Sequence, residues 1–350
     1  MRRKEEFEVS QRGLTLIELM VALAICFIVI GAVYRAFTSQ QRTYAIQDQV
    51  AEAQQNARVA MNILMRDLWM AGHGKPEGDV VISGETYRHT IQIRKGVNEE
   101  DPDTIIVVGC FASPKGYLTR TADRDDTQIE VRSTGNELNK IFDSAKSNYI
   151  FIGGMEKLRV SAAPGATKGI LTLNGPLIKR YPTGVLSGPV QKGATQIPLE
   201  STNGLRAGDV LFLGQDRLIV RDVGTDTITI DTDPDLAANQ GIFGSYPAGT
   251  FVNPVPVYRL TAVEYSVKID VEDPERPIPF LSRNDKVEGN LNRRLAEYID
   301  RLEVTPDDQD DRPLYTIRLT ARTRVRDPDY LENDGFRTRV LESQVKLRNL

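Results

Sequence analysis

From Leu14 to Tyr34 the only clearly polar side chains are Thr15 and Glu18, and the apolar run continues to about Phe37. Roughly 20 apolar residues at ~1.5 Å rise cross the hydrocarbon core of a bilayer, so the run predicts one membrane span. Beyond it the helical pattern changes character without a break. Ile46, Val50, Ala53, Ala57, Ala60, Leu64 and Leu68 recur at spacings of three and four, which is one face of an α-helix. Polar residues from Gln47 to Arg58 fill the opposite face. No proline occurs from Leu14 to Gly74, which permits a single helix of roughly 58 residues and ~87 Å. Its first half is suited to lipid, and its second half needs a protein surface to cover the apolar stripe. The helix should stop at Ala71-Gly72-His73-Gly74-Lys75-Pro76, where glycine can turn left-handed and proline cannot continue the ladder.

From about Val80 the period becomes alternating, the signature of strands. Residues 87–94 and 104–108 read as strands joined by the turn-rich stretch 97–103, followed by 127–131, 149–152, 158–162 and 170–173. A second section, about 185–256, carries four short strands at 196–199, 204–213, 218–223 and 227–231, with a hairpin turn at 222–226. Strands that short and that closely spaced favour a small barrel or sandwich inserted into a larger head. Alternation returns at 257–269, and a proline-rich loop follows at 272–279. In the segment 291–304, Leu295, Ile299 and Leu302 share a helical face, although 299–304 fits a strand equally well. Two last strands are expected at 314–323 and 337–347, flanking an exposed loop with Arg326-Asp327-Pro328-Asp329. The fold class is therefore α+β: a long N-terminal helix packed on an antiparallel β-sheet head with an inserted small β-rich module.

The chain has 350 residues, of which 40 % are hydrophobic, enough for a sizeable core in one large domain or two modest ones beyond the span. Its formal charge is −4 and the outer region carries no basic stripe, which argues against nucleic acid as a partner. Arg2, Arg3, Lys4 and Arg12 precede the apolar run, and the positive-inside rule then leaves the N-terminus in the cytoplasm with everything after Phe37 outside. Glu18 lies about one turn inside the apolar run. A charge at the centre of a membrane helix costs about 2–3 kcal/mol on insertion scales, so this acid calls for a partner. The α-amino group created by a cut just before Leu14 would supply one.

Little else suggests chemistry. Cys26 lies at membrane depth and Cys110 in an expected strand of the head, too far apart to bridge, and both read as buried free thiols. His73 at the helix end and His89 in an expected strand have no cysteine or carboxylate at metal-ligand spacing, and neither a G-x-S-x-G nucleophile motif nor a phosphate-binding glycine loop is present. Asp231-Thr232-Asp233-Pro234-Asp235 opens like a calcium loop, but Leu236 replaces the sharp-turn glycine and Ile242 the bidentate glutamate. Asp307-Asp308-Gln309-Asp310-Asp311 reads as a charged hairpin loop. Arg58 and Asp67, both assigned to the polar side of the helix, read as a solvated or head-facing ion pair. No catalytic residue, cofactor or metal site is expected.

Gly13-Leu14-Thr15-Leu16-Ile17-Glu18 resembles the processing site of type IV prepilins and type II secretion pseudopilins. In those proteins a short basic leader is cut after the glycine and the new N-terminus is methylated. The resemblance implies a leader at 1–13, cleavage between Gly13 and Leu14, N-methylation of Leu14, and Glu18 as the partner of the new amine. The usual first mature residue is phenylalanine, and leucine replaces it here. Many pilins also carry a proline near Gly31 that softens the helix, and this chain has glycine alone. Gln55-Asn56-Ala57-Arg58, Arg66-Asp67-Leu68, Ala71-Gly72 and the ending Val345-Lys346-Leu347-Arg348-Asn349 are similar to PilW-like minor pilins and, in the last strand, to J-type pseudopilins.

The resemblance divides the chain into the leader, a transmembrane helix half at 14–37, an amphipathic half at 38–74, and a β-rich head at 75–184 and 257–350 around the 185–256 module. It implies a non-enzymatic subunit held in the inner membrane with its head in the periplasm and incorporated into a surface pilus, where it helps initiate or cap assembly in a tip complex. Its partners would be a prepilin peptidase/N-methyltransferase, other minor pilins and the major pilin, the inner-membrane pilus assembly platform and a tip adhesin. Two alternatives stay open: a J-type pseudopilin of a type II secretion system, and a membrane-anchored module that holds a glycan or peptide in its 185–256 section.

Overall fold

The computed structural model describes residues 15–98, 100–111, 114–133, 147–162, 169–232, 241–272, 277–287, 293–307 and 314–347. Helix α1 runs unbroken from Leu16 to Trp69, 54 residues, or ~81 Å at the α-helical rise. The absence of proline and of any glycine except Gly31 explains its continuity. It ends where Gly72 takes φ 78° and donates its N–H to the Val108 carbonyl at 2.9 Å. Gly74 follows with φ 77°, and a Cβ there would lie 2.6 Å from Cys110 Sγ, so only glycine fits. Two compact units divide the chain, Met1–Gln55 with Arg322–Arg339, and Asn56–Ala321 with Val340–Leu350.

In the larger unit the last turns of α1 lie on a five-stranded antiparallel sheet. Its strand order is Arg293–Glu297, Ile278–Asp285, Thr261–Asp270, Thr104–Gly109, Ile91–Arg94. Ala57, Ala60, Leu64 and Leu68 are buried there, each leucine contributing about 1.5–3 kcal/mol by the usual transfer scale. The sheet is covered on both faces. Ile106, Val108 and Ala262 alternate with Ile105, Val107 and Val263 and build a second core with Tyr87, Cys110 and Phe151. Double coverage explains why 105–108 is a continuous apolar run.

Apart from the hairpin of Val80–Ile82 with Glu85–Tyr87 and a three-stranded sheet in the order Ile299–Asp307, Leu314–Arg322, Thr338–Lys346, the rest of the head is nested inside one hairpin of that sheet. Strands Thr104–Gly109 and Thr261–Asp270 are antiparallel neighbours, with Gly109 opposite Thr261, so everything between them leaves and returns at one point. The first tier is a closed six-stranded barrel of Pro256–Arg259, Gly116–Leu118, Gln128–Ser133, Ile170–Leu173, Glu156–Ala162 and Tyr149–Ile152. Leu118, Ile129, Ile150, Ile152, Leu171 and Val257 are among the residues that fill it. The second tier leaves the barrel after Ile170–Leu173 and returns at Pro256–Arg259. It is a six-stranded sheet in the order Gly184–Val185, Phe251–Val252, Val210–Leu213, Asp216–Val223, Thr227–Ile230, Gln196–Pro198, with its own core around Leu199, Leu211, Leu213, Val220 and Ile228.

Several strands depart from the sequence pattern. Residues 87–94 are not one strand: Tyr87 closes a small hairpin, Glu85–Tyr87 on Val80–Ile82, before Ile91–Arg94 begins. Residues 291–304 contain no helix in their described part, which forms strands Arg293–Glu297 and Ile299–Asp307, with Tyr298 at φ 59° between them. A register shift between Ile299 and Arg301 adds one residue to the strand and so turns the spacing of the buried Ile299 and Leu302 from two to three, which imitates a helix. Strand Ile278–Asp285 was hidden because Ser282 and Asn284 are buried along with Phe280 and Leu281, erasing any alternation.

Because Val185 pairs with Phe251, a two-residue turn can join them in place of residues 186–250. The shortened chain is expected to keep a cooperative thermal transition of the barrel and sheet by circular dichroism. Loss of that transition would mean that the second tier's core is needed by the first.

Candidate functional site

Gly13 and Leu14 lie outside the described residues. The first described residue, Thr15, opens α1 in a reciprocal cap. Glu18 Oε2 accepts the Thr15 backbone N–H at 2.9 Å and its hydroxyl at 2.9 Å, and Thr15 Oγ1 accepts the Glu18 N–H at 3.3 Å. This is the capping-box arrangement, with threonine at the cap and glutamate three residues on. In an apolar surrounding its effect is large, because an unsatisfied backbone N–H costs several kcal/mol there. The cap also turns the Glu18 carboxylate back toward the chain that precedes the helix. From Leu16 to Phe37 the helix surface carries no protein cover: Leu16, Phe27 and Ile28 are each more than 70 % exposed. It is long and apolar enough to cross a membrane.

A second cluster ties α1 to the head. Asp67 is fully buried; its Oδ2 accepts the Tyr265 hydroxyl at 2.5 Å and the Arg283 guanidinium at 2.9 and 3.0 Å. Burial, reinforced by the Asp67 charge, pushes the Tyr265 phenol far up, so it remains a donor. Burial alone would lower the Arg283 pKa, but Tyr265 and Asp67 together raise it, so the guanidinium stays charged. The expected pairing of Asp67 with Arg58 is therefore corrected. Arg58 is exposed, and Asp67 sits in the apolar stripe, three residues after Leu64 and seven after Ala60. That position on the stripe was the available signal for a buried partner; nothing in the sequence pointed to Tyr265 or Arg283, some two hundred residues away.

A third cluster, in the smaller unit, pins loop 323–337 on the helix. Asp327 accepts Arg42 at 2.9 Å and Arg337 at 2.8 Å, Asp329 takes the other Arg42 nitrogen at 2.6 Å, and Gln49 Oε1 accepts the Val325 N–H at 3.1 Å. The hydrogen bond from Arg337, with further ones from the Asp329 N–H and Arg42, holds the Asp327 carboxyl below the usual aspartate range. The sequence predicts an exposed loop here, yet Asp327 is buried.

The remaining candidates carry no chemistry of their own. Cys110 is buried and its thiol is pushed up to about 12 by burial; it lies just past the end of a strand rather than in one. Cys26 is exposed on the bare helix rather than buried within the protein. His73 sets its ring edge-on to Phe151, centroids 4.8 Å apart, and its pKa is lowered by burial and by Lys157. His89 is exposed in the bend between strands, not in a strand. Of the calcium-like stretch only Asp231 and Thr232 are described, and of 307–311 only Asp307, the last residue of its strand. Among the described residues no group of three or more His, Cys, Asp or Glu is placed to hold a metal ion.

Residues 9–34 match the family model of the prokaryotic N-terminal methylation motif. The match takes in the Gly13–Glu18 stretch and most of the apolar run. This is the motif of type IV prepilin-like proteins, and it indicates a type IV pilin- or pseudopilin-like protein; the motif in general implies a prepilin peptidase and assembly partners. No curated protein matches the chain.

Two measurements test these clusters. Asp67→Ala should destabilise the full chain in detergent by about 3–5 kcal/mol in urea titration, because it leaves a buried guanidinium unpaired, whereas Arg58→Ala should change stability by no more than about 0.5 kcal/mol. For Asp327, a depressed pKa means that its contribution is present above the ordinary aspartate range and is lost as pH falls through the lowered value. Amide exchange at Asp327, Tyr330 and Gly335, corrected for intrinsic rate, should keep its protection through that range and lose it only below.

Proposed function

We propose that this chain is a PilW-like minor type IV pilin, synthesised as a prepilin and cut between Gly13 and Leu14 by a prepilin peptidase that also methylates Leu14. The observation that carries the reading is the methylation motif on residues 9–34, joined to a bare helix whose first turn is closed by Glu18. Cleavage would place a methylated ammonium on Leu14, one residue before the Thr15 N–H that Glu18 already accepts. The carboxylate is thus within a short side-chain rotation of the new cation, in its own subunit or in a neighbour.

The mechanism follows from electrostatics in a medium without water. A subunit is drawn from the inner membrane into a bundle of like helices, its head on the periplasmic side, when the bundle covers Leu16 to Phe37 as lipid did. Pairing of Glu18 with the methylated amine then favours one axial register, because a slipped neighbour leaves a buried charge unpaired at a cost of several kcal/mol. With other minor pilins the subunit would prime or cap the filament that the assembly platform extends with major pilin. A nested head that adds a barrel and a further sheet suits a tip position, where side-by-side crowding is least, and a tip adhesin is a natural neighbour.

The motif is common to pseudopilins, so a J-type role in type II secretion is the second reading. Deletion separates them: loss of surface pili supports the pilin and retained pili with blocked exoprotein release supports the pseudopilin. On the proposed processing site, Gly13→Ala should leave the leader attached by mass spectrometry. Glu18→Ala should still be cut yet fail to enter filaments, and a mature N-terminus at Leu14 in the Gly13→Ala protein would falsify the assignment.

A further inference from the structure

Loop 323–337 has a defined shape and a direction. Val325 meets the helix at Gln49, whereas Asp327 and Asp329 meet it at Arg42, ~10 Å nearer the apolar run by helical rise. The chain from 325 to 327 therefore descends along α1 toward the membrane span; it turns at 327–330, where the Tyr330 N–H meets the Asp327 carbonyl at 3.0 Å, and Tyr330 and Leu331 lie in the tip beyond the Asp327–Gly335 contact. Leu331 is 94 % exposed. The loop is held in this form by the two arginines on Asp327, by the Asp327 N–H on the Gly335 carbonyl at 2.7 Å and by the Arg337 guanidinium 5.0 Å over the Tyr330 ring. It turns back through three successive left-handed residues, Asn333, Asp334 and Gly335, at φ 47°, 54° and 85°.

The level at which the tip hangs follows from helix geometry. Arg42 is five residues past Phe37, ~7 Å along the axis, and the headgroup layer of one leaflet is about 5–7 Å thick. A loop that continues below Arg42 toward the span ends within that layer. Its tip has the make-up of an interfacial anchor, one aromatic with a polar end and one large aliphatic side chain. The tip's acids are partly engaged within the protein: Asp329 pairs with Arg42, and Glu332 accepts the Tyr330 hydroxyl at 3.1 Å. Asp334 remains, and three acids at the tip disfavour an anionic surface.

We propose that the tip Tyr330-Leu331 rests in the outer-leaflet interface of a zwitterionic bilayer, a second membrane contact that sets the height of the smaller unit on the membrane. The inference rests on the reading of residues 16–37 as a membrane span, and its test separates the two. Trp69 is the only tryptophan, so Trp69→Phe gives a silent background for the full chain in phosphatidylcholine vesicles. Leu331→Trp in that background should emit blue-shifted and be quenched by lipids brominated high in the acyl chain, and Asp327→Asn should abolish both effects by freeing the loop. Ile28→Trp, within the span, should be quenched by lipids brominated deep in the chain. Water-like emission from position 331 with position 28 quenched would overturn the proposal and leave the span intact. Blue-shifted but unquenched emission at 331 would assign the tip to a second copy of the chain instead, and an unquenched position 28 would remove the span and the inference together.

Discussion

A helix without a break cannot change direction to hide an apolar face, so each stretch of its surface must find cover where it lies. In α1 two stretches make incompatible demands. Residues 16–37 are apolar except for Glu18, Arg35 and a few small residues and, among the described residues, have no cover within the protein, while 57–68 carry a stripe that a β-sheet buries. The second demand is met by the chain itself, and the first calls for lipid or other helices, so the one helix has the make-up of both anchor and spine. Two of the charged positions that interrupt its apolar surfaces, Glu18 and Asp67, are handled by opposite means. Glu18 is spent on the helix's own first turn, whereas Asp67 is matched by a tyrosine and an arginine from two strands of the head.

The buried Asp67 pair gives little net stability, since desolvation of two ions offsets most of their attraction. Its effect is on register. Sliding the helix by a turn along the sheet would separate Asp67 from both Tyr265 and Arg283 and leave two buried charges unmatched across the seam, so the pair selects one seating among several that apolar packing alone would tolerate. The latch of Arg42 and Arg337 on Asp327 acts in the same way on the loop of the smaller unit, fixing a surface segment that has almost no core of its own.

Nesting explains how the head can be large without disturbing that seat. The sheet that holds α1 is interrupted at a single hairpin, between Gly109 and Thr261, and the barrel and second sheet are both built between those two residues. Each tier is closed by a strand pair, Gly109 with Thr261 for the first and Val185 with Phe251 for the second. Its additions cost the parent layer only a loop closure, which grows slowly with loop length.

How much of this was legible depended on the range over which each signal acts. Helix, span, end at Gly72 and most short strands follow from neighbours within a few residues, where periodicity, proline and glycine act directly, and so the α+β class and the Gly13–Glu18 motif could be read from the chain alone. The false helical face at 295–302 and the hidden strand Ile278–Asp285 show the limit of that reading: a bulge shifts the period, and burial on both faces removes it. The partners of Asp67 and Asp327, the closed barrel and its nesting were decided only by tertiary structure. They join residues up to 285 positions apart, and no local propensity distinguishes the right distant partner from the many others of the same charge. At Glu18, the opening stretch by itself determined both that an acid stands at the head of an apolar helix and, through Thr15 three residues before it, which way that acid faces; only the folded structure decided that Asp67, on the same helix, faces Tyr265 and Arg283, because those partners are brought to it from distant strands.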